Sequence, residues 1–144
     1  MSVQKTSLQS LILFLVFFLS TQLSAQKVDK DNLTDEIRLY WDSQKKHINS
    51  RGCYYTDDLI GTSTEKHGKW RFYDFNRTLT EERNYFRGRI HGKQSTYYKD
   101  KIIKTEAFFI FNVPDSSYKE WNENGILILK GNYLMGSPSG EWDY

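Results

Sequence analysis

The sequence predicts a mainly β fold: an elongated, single-layer antiparallel sheet of repeated β-hairpins with a short N-terminal helix. The first observation is a 24-residue period, which is typical of repeat architectures built from one supersecondary unit. The second is the spacing of turn residues, which separate strand-like runs about every 8 to 12 residues, as in an antiparallel meander. The third is an aromatic content of 16%, because large rings help a thin sheet to bury enough area.

The repeat runs from Gly68 to Tyr144 and keeps one register throughout. Three units open at Gly68, Gly92 and Ser116, and a fourth begins at Gly140. The pattern departs from its consensus at Gln94, Asn112 and Ser116. The positions that we predict to be structural in the repeat are Gly68, Trp70, Gly88, Gly92, Gly125, Gly136, Gly140 and Trp142.

Residues 1–25 have the pattern of a secretory signal peptide. Lys5 precedes the apolar run Leu11–Leu19, and Ala25 is a small residue suited to cleavage before Gln26. A membrane-spanning helix needs about 20 apolar residues, whereas this run has nine before polar residues interrupt it. We therefore expect an exported protein with no transmembrane span in the mature chain.

Residues 26–51 are predicted to form an N-terminal segment that contains a helix over residues 32–48. The apolar residues of this stretch fall on one helical face. Such a helix would cover the first strand of the repeat array, which otherwise presents an open edge. The residues of the predicted apolar face are Leu33, Ile37, Tyr40, Trp41 and Ile48.

Residues 52–144 are predicted to form the repeat domain, which begins with the tail of a degenerate unit at residues 52–61. Gly52-Cys53-Tyr54 matches Gly131-Asn132-Tyr133, and an insertion of seven residues then interrupts the period, so the strands of residues 49–66 stay unassigned. Each later unit is predicted to form a hairpin, and Asn124-Gly125 is the strongest turn signal. The predicted strands are 69–73, 79–85, 93–98, 102–109, 118–121 and 126–133, and the glycine-rich connections between units include Gly88, Gly92, Gly136, Pro138 and Gly140.

These units resemble the MORN repeat, and most closely the bacterial MORN-variant repeat proteins that are grouped with an antitoxin-like family. The resemblance rests on His91-Gly92-Lys93 after Tyr85 and Gly88, and on the segment from Tyr133 to Trp142. It implies a hairpin-repeat fold that acts as a scaffold or binding module, with partners that vary between members. An antitoxin would normally act in the cytosol, which disagrees with the predicted export.

The sequence predicts no catalytic, cofactor or metal site, and hence no enzyme. His67 and His91 occupy equivalent repeat positions, which places them two strands, or about 9.6 Å, apart. Both therefore cannot easily bind one ion, and we interpret them as structural. Glu81 and Glu82 would point to opposite faces of one strand, so they do not form an acid–base pair. The single cysteine, Cys53, is either a partly buried residue or the site of an intermolecular disulfide.

The remaining prediction is binding through exposed aromatic residues. The net charge of +2 does not indicate nucleic acid, which usually requires a basic patch or stripe. We expect a protein–protein interaction or scaffold module of the bacterial cell envelope, periplasmic or secreted. The alternatives are a module that binds a glycan or lipid headgroup, and an antitoxin-like or immunity-like inhibitor. The candidate partner-binding aromatics are Tyr73, Tyr97, Tyr98, Trp121 and Tyr144.

Overall fold

The computed structural model describes residues 33–57 and 61–144, which form one open sheet of nine strands. The strands are adjacent in chain order, and every neighbouring pair is antiparallel. The predicted mainly β architecture of repeated hairpins is therefore confirmed. The strands are β1 (Ile37–Tyr40), β2 (Ile48–Asp57), β3 (Gly61–Tyr73), β4 (Leu79–Phe86), β5 (Arg89–Tyr97), β6 (Ile103–Ile110), β7 (Val113–Trp121), β8 (Leu127–Leu134) and β9 (Ser137–Asp143).

Residues 33–48 do not form the predicted helix. They form β1, a turn and the start of β2, and β1 pairs along its whole length with β2. The carboxylate of Asp42 accepts the backbone N–H groups of Lys46 and His47, which stabilises the turn. The apolar spacing fitted a helical face, but the turn and the backbone pairing with β2 favour a hairpin. The earlier part of the predicted segment, residues 26–32, and the predicted signal peptide lie outside the described residues.

The β1–β2 hairpin has the turn of a further repeat, with a first strand of only four residues, whereas the sequence suggested only the tail of a repeat. Asp42 accepts the N–H of Lys46 in its turn, as Asp74 accepts the N–H of Thr78 in the β3–β4 turn. In both hairpins an aromatic residue before the turn pairs with an aliphatic residue after it, at a bulge. These pairs, with their equivalents in the next two repeats, are Tyr40–Ile48, Tyr73–Leu79, Tyr97–Ile103 and Trp121–Leu127.

The seven-residue insertion lengthens the hairpin between β2 and β3. These two strands have 10 and 13 residues, whereas β4 to β9 have between 7 and 9. Their pairing continues outward as far as Asp57 opposite Gly61. The insertion therefore leaves the register of the repeats on either side intact.

Three tight turns connect successive repeats, and each has positive φ at both central residues. This geometry matches the right-handed twist of the flanking strands. The second residue of each turn also donates its N–H to a strand of the preceding hairpin, with N···O distances of 2.8 to 2.9 Å. Asn112, which departs from the glycine consensus, keeps this conformation because Asn tolerates positive φ. The turns are Arg87-Gly88, Phe111-Asn112 and Met135-Gly136.

Each unit also opens with a residue of positive φ inside a strand, not in the connection that the sequence suggested. Gly68, Gly92 and Gly140 have φ of 66°, 99° and 70°, and Ser116 has 63°. The pairing of each of these strands with the preceding strand shifts register at this residue. Gly92 and Gly140 therefore form bulges in β5 and β9, and Pro138 also lies within β9.

The buried Tyr and Trp rings of the sheet are Tyr55, Trp70 and Tyr85, and Trp70 lies in a row of side chains that crosses one face. At the two ends of the row a ring lies over a small residue of the neighbouring strand, as Trp70 does over Gly52 and Trp142 over Gly131, whereas Arg83 and Gln94 lie in its middle. Trp70 is fully buried, and its Nε1–H donates to the carbonyl of Cys53 at 2.9 Å. A Cβ on Gly52 would lie 2.5 Å from the Trp70 ring. The row is Ile37, Gly52, Trp70, Arg83, Gln94, Ala107, Tyr118, Gly131 and Trp142.

Candidate binding surfaces

The aromatic residues predicted to bind a partner do not form one exposed platform. Tyr73, Tyr97 and Trp121 occupy equivalent positions in successive repeats, but all three are half-buried. The hydroxyl of Tyr97 donates to Glu82 at 3.0 Å. Burial and this carboxylate raise the pKa of Tyr97. These rings therefore contribute mainly to the fold.

The other two predicted aromatics lie apart from that group. Tyr98 is half-buried, and the ammonium of Lys104 lies 5.5 Å from its ring centroid. Tyr144 follows β9 and is 95% exposed. Tyr144 is therefore the only one of the five predicted positions whose ring is largely free to meet a partner.

The two repeat histidines lie in a ladder of rings on the face opposite Trp70. The ring of Phe86 lies between them, 5.3 Å from His67 and 6.1 Å from His91. The ladder continues to Tyr55 beside His67 and to Phe111 beside His91. No group of three metal-ligating side chains occurs in the described part of the chain.

His67 has a structural role that its sequence position alone did not reveal. Its Nδ1 accepts the backbone N–H of Arg87, the first residue of the next tight turn, at 3.4 Å. Burial, and then the charge of Arg87, lowers the pKa of His67. At the equivalent position two repeats later, the carboxylate of Asp115 accepts the N–H of Met135 at 3.2 Å. In these two units the side chain before the unit start thus stabilises the following turn, whereas the buried Nδ1 of His91, at the same position in the unit between them, has no hydrogen-bond partner among the described residues.

The three tight turns between repeats lie on the same side of the sheet, at the ends of its strands, and they present large apolar side chains there. We call this row of turns and strand ends the apolar edge. Its members are between 41% and 83% exposed. Neighbouring members are close: the Phe86 and Phe111 centroids lie 6.2 Å apart, and Val113 approaches Gly136 of the next turn. The apolar edge consists of Phe86, Ile110, Phe111, Val113, Leu134 and Met135.

The turns at the other edge are mostly polar. The turns at residues 42–46 and 74–78 contact each other, since Arg77 donates to the carbonyl of Lys46 at 3.0 Å. The exposed Phe75 stacks on His47 with centroids 4.0 Å apart. Exposed aliphatic residues occur at this edge at the start of β8, where Ile126, Leu127 and Ile128 lie. This edge therefore also has exposed apolar side chains, at Trp41, at Phe75 and at the start of β8.

A second row, which we call the charged row, crosses the face opposite Trp70. Its members lie directly opposite one another on successive strands, and all except Ser95 are ionisable. The first three residues of the row are arginines. Beyond them come two glutamates separated by Ser95, then two lysines, and last an aspartate. The charged row is Arg38, Arg51, Arg71, Glu82, Ser95, Glu106, Lys119, Lys130 and Asp143.

The acidic residues of the sheet centre are engaged in ion pairs. Glu81 accepts two hydrogen bonds from Arg83 at 2.7 Å and also contacts Gln94. Glu82 instead accepts from Arg71 at 2.8 Å and from Tyr97. The two adjacent glutamates therefore use different partners on opposite faces, as the sequence indicated.

Lys66 lies on the same face as Trp70 and close to three aromatic rings. Its ammonium lies 4.7 Å, 4.9 Å and 5.6 Å from the ring centroids of Trp70, Phe72 and Tyr85. Burial lowers the pKa of Lys66, and Arg83 adds to that effect. The rings compensate the charge through cation–π attraction. On the other face, burial raises the pKa of the Cys53 thiol, with smaller effects of Glu36 and Asp35.

Comparison of the chain with protein family models, curated proteins and solved structures finds no significant match. Among the described residues, no helix is long and apolar enough to cross a membrane.

Proposed function

We propose that this chain is an exported, non-catalytic repeat protein of the bacterial cell envelope that binds a protein partner. The apolar edge carries the proposal. The pattern of residues 1–25 supports export. The resemblance to MORN-variant repeats supports a binding or scaffold role, and the equivalent turns and bulges of successive repeats are consistent with it.

The apolar edge has the chemistry of a protein-binding surface. Apolar patches of about 300 to 600 Å² on a monomer are often functional. Two of its six members are Phe and one is Met, residue types that are enriched at protein interfaces. Covering Leu134 and Met135, which are 62% and 83% exposed, would remove apolar surface from water at about 25 cal/mol per Å². A partner with an apolar face thus gains free energy here.

Glycan binding has less support from this geometry. The rings of Phe86, His91 and Phe111 are tilted by 35° to 65° relative to one another, so they do not form one flat platform on which a glycan could stack. Glycan or lipid binding is therefore an alternative outcome of the test below.

The test places a photo-crosslinking amino acid at Met135 of the chain expressed in its native cells. The control carries the same amino acid at Lys101, a turn residue of the opposite edge with a similar φ of 63°, against 50° for Met135. We expect a discrete protein adduct from position 135 and none from position 101. Equal labelling at both positions, or adducts only with glycan or lipid, would contradict the proposal.

A substitution at the same position tests the chemistry of the edge. Arg87 occupies the equivalent turn position in an earlier repeat with φ of 45°, so Met135→Arg should keep the turn. We expect Met135→Arg to weaken partner capture by at least about tenfold while leaving the thermal melting temperature nearly unchanged. Undiminished capture would show that the apolar edge is not the binding surface.

A further inference from the structure

We propose that the arginine triplet, Arg38, Arg51 and Arg71, binds carboxylates of an acidic segment in the partner. The inference rests on the proposed function in taking that partner to be a protein. The three arginines lie directly opposite one another on β1, β2 and β3. Adjacent strands lie about 4.8 Å apart, and like charges directly opposite each other are destabilising. An anion over the triplet would relieve this repulsion.

The chain's own carboxylates do not fully compensate the triplet. Glu36 is shared, at 3.5 Å from Arg38 and 3.7 Å from Arg51. Arg71 pairs with Glu82 at 2.8 Å, but Lys69 also lies 3.8 Å from that carboxylate. Four cations therefore share two carboxylates in these ion pairs, which leaves positive charge available for a ligand.

Arg51 is the residue with unused donors. Its Nε is buried and has no hydrogen-bond partner among the described residues. Its guanidinium lies 5.7 Å from the centroid of the Tyr73 ring, which holds it in place. The side chain as a whole is still 33% exposed, so a ligand would approach the exposed part of the side chain and not the buried Nε. The planar fork of N–H donors matches a carboxylate in a bidentate arrangement.

The rest of the charged row argues against a second copy of the chain as the occupant. Two copies whose rows faced each other in reverse order would pair like charges at most positions. The like pairs would be Arg51 with Lys130, Arg71 with Lys119, and Glu82 with Glu106. An acidic segment of a different protein, laid over the β1–β3 end of the row, would meet the three arginines, beside which Glu36 and Glu82 are the ion-paired carboxylates.

The experiment measures binding of a fluorescent hexaglutamate peptide to the mature chain by anisotropy. We compare Arg51→Gln and Arg51→Lys with Lys130→Gln, which removes one positive charge from the far end of the same row. Both Arg51 variants should weaken binding about tenfold, because charge-assisted hydrogen bonds to the guanidinium are lost. Lys130→Gln should change binding by no more than about twofold.

The outcomes separate the site from general charge attraction and from the proposed function. Equal weakening by Arg51→Gln and Lys130→Gln, or full binding by Arg51→Lys, would overturn the carboxylate site. Competition by inorganic phosphate at the same concentration of anionic groups would also overturn it, in favour of an unselective anion site. Met135→Arg serves as a further control and should leave hexaglutamate binding unchanged. The proposed function instead fails if Met135→Arg leaves partner capture intact.

Discussion

Ser116 has the positive φ of the unit-start position, a strained backbone conformation for a residue other than glycine. The unit-start position has positive φ in all four units, and three of them use glycine there. In the left-handed region the Cβ of an L residue crowds the following carbonyl, which costs about 1 to 2 kcal/mol. The Ser116 hydroxyl donates to Asp115 at 2.8 Å, but this exposed contact offsets only part of the cost.

We therefore expect Ser116→Gly to raise the free energy of unfolding by about 1 kcal/mol. Urea denaturation of the two proteins measures the difference. The matched control is Ser117→Gly, at the next residue of the same strand, where φ is not positive and glycine should destabilise the chain. No gain in stability for Ser116→Gly would show that the serine is unstrained at this position.

At the residue scale, the sequence identified turn positions from their spacing, but not residues that only the strand register brings together. Glycine and asparagine at turn positions have few alternative explanations, so Gly88, Asn112 and Gly136 could be placed from spacing alone. The arginine triplet was missed because its members are 13 and 20 residues apart and become neighbours only through the register of β1, β2 and β3. That register depends on a bulge and on the inserted residues, which the 24-residue period does not encode.

At the scale of the element, the cross-strand pairs of ring and glycine determine how closely β8 and β9 pack. A Cβ on Gly131 would lie 2.2 Å from the Trp142 ring, which is closer than van der Waals contact permits. In the preceding repeat the equivalent small residue is Ala107, and its partner on the next strand is Tyr118. A smaller ring is therefore compatible with a methyl group at this position.

Gly131→Ala should lower the free energy of unfolding by about 1 to 3 kcal/mol through overpacking. The double variant Gly131→Ala with Trp142→Tyr reproduces the Ala107–Tyr118 pair and should recover part of that loss. A double-mutant cycle by urea denaturation measures the coupling. Additive effects of the two changes would contradict direct contact between the methyl group and the ring.

The β1–β2 hairpin shows where element prediction from the sequence failed. Ile37, Tyr40 and Trp41 fit a helical face, but the same residues also fit a short strand followed by a turn. In the folded chain, Trp41 donates its Nε1–H to the carbonyl of Tyr73 at 3.1 Å, a contact that requires β3 to be present. The later hairpins could be predicted because the 24-residue period aligns their turns, whereas the β1–β2 turn, although stabilised locally by Asp42, lies outside that period.

At the scale of the whole repeat array, each strand pairs only with its neighbours in sequence order within the described residues. Stability in such an array is close to a sum of repeat terms and nearest-neighbour terms. Trp70 lies on β3, an interior strand of the sheet, whereas Trp142 lies on β9, the last strand in the order. Loss of the two rings should therefore affect different extents of the sheet.

We expect Trp70→Ala to lower the free energy of unfolding by about 3 to 5 kcal/mol, because the fully buried ring packs on both β2 and its own strand. Trp142→Ala should instead open β8 and β9 locally. Amide hydrogen exchange distinguishes the two effects: Trp142→Ala should increase exchange in β8 and β9 while β2 to β5 stay protected. Exposed Lys101→Ala is the control and should change neither quantity. A uniform increase in exchange with Trp142→Ala would mean that the array unfolds as one cooperative unit, so that coupling between neighbouring hairpins exceeds the stability of each.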